Sequence, residues 1–245
     1  MDEMKNVSTE YKNKREEKGF FSKKISIKFL LKILIIVLIL LIIIPILKKV
    51  IVLKNLQDKV GKYTSKSNYS ISVNTYYGEK ISHDECLVKD ENTYLYTTSL
   101  LDEEDKQKRI IFSKDGETNL YIEMNGSKIA ELNQGEISTK MEIPNYLQTN
   151  DIKDFISLLF KAKITTVKCN GKECYEIRNI GNSNLVYTEN GYAIIYVDIE
   201  TGLIERVVRN NTENKEDIVQ DYTYEFDNIT DGDIKEPNIS EYEVK

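Results

Sequence analysis

The residues able to do acid–base, nucleophilic or metal chemistry in this 245-residue chain are few and scattered. His83 is the only histidine, so a serine- or cysteine-based triad would have to run through His83-Asp84-Glu85-Cys86, and two-histidine zinc sites are excluded. Cys86 reads as a small buried hydrophobe on a strand. Cys169-Asn170-Gly171-Lys172-Glu173-Cys174 has C-x4-C spacing with no second cysteine pair beside it, which is neither a metal nor a thioredoxin-like pattern. Two readings of that pair stay open. Across a four-residue loop Cys169 and Cys174 face each other and a disulfide would clamp local geometry. With Asn170-Gly171 as a two-residue turn they are diagonal neighbours and remain thiols. The acidic tail Asp227, Asp231, Asp233 and Glu236 lacks the spacing of a calcium loop and reads as a solvated turn before Pro237. No glycine-rich phosphate loop or paired-carboxylate constellation is present. The expectation is a protein that is not an enzyme, with no catalytic residue, no metal and no cofactor.

What must be positioned is therefore the domain itself, and the strongest signal is Phe29 to Leu47, apolar except for Lys32. As a helix this run is about 28 Å long, close to the hydrocarbon thickness of a bilayer. Lys32 sits in the first turn, where its stem can snorkel, and Ile33 to Leu47 outweigh its insertion cost of about 3 kcal/mol. A cleaved secretory signal would end in small residues, whereas Pro45-Ile46-Leu47-Lys48-Lys49 stands here. Both flanks are basic, so orientation follows from length: a short basic tail stays inside and a long domain translocates. The predicted organisation is a basic cytoplasmic tail over 1–28, a transmembrane helix over 29–47, a helical stalk over 48–67 and an extracytoplasmic domain over 68–245.

Charge supports that division. The chain carries a formal −6, yet residues 1 to 54 hold twelve basic and five acidic side chains, leaving 22 basic and 35 acidic ones beyond. A domain of net −13 is a poor partner for phosphate backbones, so nucleic acid is excluded as a partner, while the basic tail suits anionic headgroups.

Within the domain, Tyr69, Ile71, Val73 and Thr75 alternate with Ser70, Ser72 and Asn74, the period of a half-buried strand. The same texture recurs at 92–99, 109–113, 119–124, 128–132, 165–169, 173–179, 184–189, 192–198, 203–209 and 219–226. Lys114-Asp115-Gly116-Glu117 and Asn125-Gly126 mark hairpin turns. One helix interrupts the strands: Asp151 to Ala162 puts Ile152, Phe155, Ile156, Leu159 and Phe160 on one stripe, to line or fill the concave face of a sheet. The predicted fold is mainly β, about eleven antiparallel strands forming a strongly curved sheet or incomplete barrel wrapped round that helix.

Between two of these strands, Asp198 can accept turn amides, Thr201 completes the turn, and Gly202 takes the positive φ that a bulged hairpin needs. This strand-turn-strand segment, Tyr196 to Arg209, resembles the late hairpin of the bacterial lipoprotein-carrier (LolA-like) superfamily. Tyr222 to Tyr242 is similar to the tail of its membrane-anchored extracytoplasmic relatives in Gram-positive bacteria. The resemblance implies an incomplete β-barrel closed by helices, holding acyl chains or a hydrophobic peptide in its concave face. The chain departs from the carriers in being tethered and in lacking tryptophan, so a fixed receptor, sensor or chaperone fits better than a shuttle. The expected ligand is a lipid, lipoprotein or envelope protein; the alternative is an interaction or sensing module without a ligand cavity.

Overall fold

Alternating apolar and polar side chains beyond residue 68 resolve into one open, curved sheet in the computed structural model, which describes residues 26–101, 106–135, 140–146, 156, 159–178, 193–210 and 217–245. In chain order the elements are α1 (Ile27–Thr64), β1 (Tyr69–Tyr77), β2 (Lys80–Val88), β3 (Tyr94–Leu101), β4 (Lys106–Lys114), β5 (Glu117–Met124), β6 (Ser127–Glu131), β7 (Lys163–Cys169), β8 (Lys172–Arg178), β9 (Ala193–Asp198), β10 (Ile204–Asn210), β11 (Asp217–Phe226) and β12 (Glu243–Val244). Their order across the sheet is β12-β6-β5-β4-β3-β2-β1-β11-β10-β9-β8-β7. Every pairing is antiparallel except β12 beside β6.

Turn chemistry fixes much of this register. Asp115-Gly116, Asn125-Gly126 and Asn170-Gly171 each hold both residues at positive φ, 50–53° and then 82–86°. That is the two-residue turn whose twist matches paired strands. The sheet joins its two meanders through its longest-range pairing, Tyr69↔Phe226 to Tyr77↔Ile218.

Two elements differ from the sequence reading. Strand β2 was expected only at Cys86, because Ser82-His83-Asp84-Glu85 shows no apolar alternation; its polar residues are carried by full pairing to both β1 and β3. The predicted strand at 184–189 lies outside the described residues, as does most of the predicted helix at 151–162, of which 156 and 159–161 are helical.

The chain divides into two compact units, Met1–Pro45 and Ile46–Lys245. In the first, α1 is apolar and exposed throughout its described length, with a mean hydropathy of 3.4 over its best window, long and apolar enough to be a candidate membrane span. In the second, α1 residues 46–64 belong to the core: Leu53, Leu56 and Val60 are at most 2% exposed. The expected stalk is thus a packed core helix. Its spacing of three and four residues makes one apolar stripe, which a free stalk would have to leave in water.

Candidate binding face

The strand pairings place Tyr224, Ile71, Cys86, Tyr96, Ile111 and Leu120 in one row across β11, β1, β2, β3, β4 and β5, all on one face. This inner face, with Val207, Ile195 and Ile177 further along, carries the main core, onto which Leu53, Leu56 and Val60 of α1 pack. Met141, Ile143 and Tyr146 cover the same face, anchored where the Tyr69 hydroxyl donates to the Met141 carbonyl at 3.0 Å and the Tyr146 hydroxyl to the Gly202 carbonyl at 3.0 Å. Burial raises the Tyr69 hydroxyl to about 12 and the Cys86 thiol to about 11, so both stay neutral.

The β9–β10 turn is built around Asp198. Its carboxylate accepts from the Glu200 amide at 2.9 Å and the Thr201 hydroxyl at 2.8 Å, while the Thr201 hydroxyl oxygen accepts from the Leu203 amide at 3.2 Å. Gly202 adopts φ +76°, and a Cβ there would lie 2.8 Å from the Leu56 carbonyl oxygen and 3.0 Å from the Val60 nitrogen. Glycine is therefore needed twice, for the turn and for helix approach. The sequence reading assigned only the first role. Lys59 of α1 also donates to the Ile199 carbonyl at 2.5 Å, fastening helix to turn.

Next to this turn β10 is bulged, its register shifting between Ile204 and Arg206, and it pairs with β11 only over Arg206↔Asp221 to Asn210↔Asp217. Residues 222–226 pair with β1 alone. The fork opens a cleft of about 370 Å³. Four aromatic rings form its floor: Tyr63 lies 4.7 Å from Phe226, and Tyr222, Tyr224 and Phe226 stack along the strand at 6.2 and 6.3 Å. Asp198, Lys172 and Glu205 form the rim, the last two paired at 2.6 Å with Glu205 holding the Lys172 ammonium above its ordinary range. The Tyr224 hydroxyl is buried with no hydrogen-bond partner among the described residues, and burial, with Tyr222 and Glu205 nearby, pushes it far from ionisation. An apolar floor, a charged rim and an idle hydroxyl are suited to an apolar or aromatic group attached to a hydrogen-bonding chain.

The other residues singled out from sequence fall elsewhere. Ile152 and Phe155 lie outside the described residues. Leu159 is buried in the inner core, whereas Ile156 and Phe160 are 48% and 65% exposed. Cys169 and Cys174 occupy the register with the two-residue turn: Cys169 pairs with Lys172 and Cys174 with Val167, and both are buried free thiols. The register with a four-residue loop is not the one observed, because Asn170-Gly171 satisfies a tighter turn. His83 Nδ1 lies 2.8 Å from Asn74 Oδ1, its neighbour across β1 and β2. In the tail, Asp231 pairs with Lys89, Asp227 with Lys66 and Asp233 with Thr230, and Glu236 accepts from the Asn119 side chain and the Tyr121 hydroxyl. These carboxylates are spent on holding the tail. The aromatic floor was missed: alternation at 222, 224 and 226 and the position of Tyr63 near the end of α1 were visible, but nothing in them signalled that a forked sheet brings them together.

No family model and no curated protein matches the chain. Among solved structures it is similar to an uncharacterized conserved protein from Thermus thermophilus, with a TM-score of 0.45, 10% identity, and coverage of 78% of this chain and 98% of that one. It is similar to a chain of the Pseudomonas aeruginosa MucA/MucB complex, with a TM-score of 0.36, 9% identity, and coverage of 79% and 63%. A LolA superfamily protein from Nitrosomonas europaea is matched with a TM-score of 0.28, 9% identity, and coverage of 75% and 97%.

Proposed function

We propose that this chain is a single-pass, membrane-anchored protein whose extracytoplasmic β domain is a non-catalytic binding module for an envelope polypeptide. The observation that carries this reading is the cleft at the β10–β11 fork, with its floor of Tyr63, Tyr222, Tyr224 and Phe226 beneath Asp198, Lys172 and Glu205. Aromatic floors with polar rims are the composition of protein-binding hot spots. The inner face beside it is already covered by Leu53, Leu56 and Val60 of the chain's own helix, which favours a polypeptide in the cleft over an acyl chain beneath the helix. The apolar half of α1 supports anchoring, and the short basic tail supports the outside placement.

The test uses the full chain in its native membrane, with a photo-crosslinking residue replacing Thr223 on the cleft wall, together with native mass spectrometry of the purified protein. The expected result is a specific crosslink to a polypeptide that Tyr224→Ala weakens, with no lipid retained. Stoichiometric retention of an acyl species would instead make this a lipid-binding protein, and protease protection of the C-terminus in intact cells would overturn the outside placement.

A further inference from the structure

The helical residues 159–161 lie against the first residues past the apolar run. The Lys49 ammonium donates to the Leu159 carbonyl at 3.1 Å. Lys49 stands two residues after Leu47, about 3 Å along a helix axis. If Phe29 to Leu47 spans the bilayer, Lys49 is at headgroup level and the backbone at Leu159 is held there with it.

The side chains at that turn are sorted by direction. Leu159 belongs to the inner core at 9% exposure, while Ile156 and Phe160 are 48% and 65% exposed. Ile51, early in the second half of α1, is likewise 58% exposed. Next to them in sequence stand the exposed Lys48, Lys161 and Lys163 and the half-buried Lys49, and neither 48–53 nor 156–163 contains an acidic residue. In a unit, residues 46–245, of net −10 this is a local inversion of charge. Apolar residues flanked by lysines are the composition that rests at the boundary between headgroups and acyl chains.

We propose that Ile156 and Phe160 make a second membrane contact, seating this end of the β domain on an anionic lipid surface beside its own anchor. The inference rests on the anchoring proposed above. Two points of attachment would limit rotation of the domain about its tether and hold the β10–β11 cleft in a set orientation to the bilayer.

The chain contains no tryptophan, so a single introduced indole is a reporter without background. Full-length variants Leu38→Trp, Ile156→Trp, Phe160→Trp and Glu117→Trp are reconstituted separately in phosphatidylcholine–phosphatidylglycerol vesicles that contain acyl chains brominated near the headgroup together with acyl chains brominated near the terminal methyl. Glu117 lies at the β4–β5 turn, at the sheet end that also carries the β9–β10 turn. The expected result is quenched, blue-shifted emission from Trp variants at 38, 156 and 160, and unquenched emission at 117. Quenching at 38 with water-exposed emission at both 156 and 160 would overturn the second contact and leave the anchor standing. Unquenched emission at 38 would overturn the anchor and this proposal with it.

Discussion

The two faces of the sheet are covered in opposite ways. On the inner face α1 contributes Leu53, Leu56 and Val60 to a large apolar core, and its contacts to the β9–β10 turn leave no room even for a Cβ on Gly202. On the outer face the C-terminal tail lays Ile229, Ile234 and the partly buried Tyr242 on Ile110, Phe112, Tyr121 and Ala130. That cover is completed by directional bonds. Asn68 exchanges hydrogen bonds with both backbone groups of Ile229 at 2.8 and 3.0 Å, the Tyr242 hydroxyl donates to Glu123 at 2.5 Å, and Tyr242 meets Tyr121 edge-on at 5.0 Å. The helix is held by area removed from water and the tail by a short series of polar contacts, so the two covers should answer differently to truncation, to pH and to salt.

The largest contrast is expected from truncating each apolar core. Leu56→Ala should cost about 3 kcal/mol, because a fully buried leucine leaves a cavity between a helix and a sheet that cannot both relax. Ile234→Ala should cost about 2 kcal/mol, since a tail can settle onto the gap. Urea titration of the full-length protein followed by circular dichroism separates them, and equal losses would mean that the tail is as integral as the helix. Gly202→Ala probes the helix contact from the turn side and should match Leu56→Ala at about 3 kcal/mol, as positive φ and overpacking combine.

Asn68→Ala removes both bonds to Ile229 and should cost about 1 kcal/mol, with proteolytic nicking of the C-terminus rising before global unfolding. Release of the tail without a change in the unfolding midpoint would sharpen the distinction between the faces; no release would erase it.

Titration gives a smaller, signed effect. Glu123 is held below its usual range, chiefly by the Tyr242 hydrogen bond and also by Lys128, so its contribution is present at neutral pH and lost as pH falls below the ordinary carboxylate range. Acid should therefore loosen the tail, seen as cleavage near residue 242, while the helix stays packed. On the inner face the neutral forms are favoured: Cys86 at about 11 and Tyr69 and Tyr96 at about 12 contribute fully below their unfolded values and lose that contribution as pH climbs through 11 to 12. A single acid transition taking both faces together would contradict this. The smallest change is expected from Lys89→Ala, whose exposed pair with Asp231 should leave the midpoint where it is.

Much of this molecule is legible before folding is considered. Hairpin turns at Asp115-Gly116 and Asn125-Gly126 follow from residue chemistry, as do the alternating strands and the Asp198–Gly202 turn, because each depends on neighbours in the chain. Strand β2 was obscured because a strand between two partners tolerates polar residues on both faces: Asp84 is satisfied by the Tyr96 hydroxyl at 2.9 Å and His83 by Asn74, across strands that the sequence does not show to be adjacent. The stripe at Leu53, Leu56 and Val60 was visible as a helix, but not what it would bury against.

The sequence alone determines an apolar run long enough for a bilayer, an acidic β domain beyond it and the turns that set hairpin register, since length, charge and local backbone preference are properties of contiguous residues. Tertiary structure decides that the segment after the apolar run is core rather than stalk. It decides that Asn170-Gly171 leaves Cys169 and Cys174 diagonal, and that a bulge near Ile204 parts β10 from β11 to open an aromatic cleft. Those outcomes come from competition among surfaces far apart in the chain, and only the folded arrangement reveals which pair buries more and strains less.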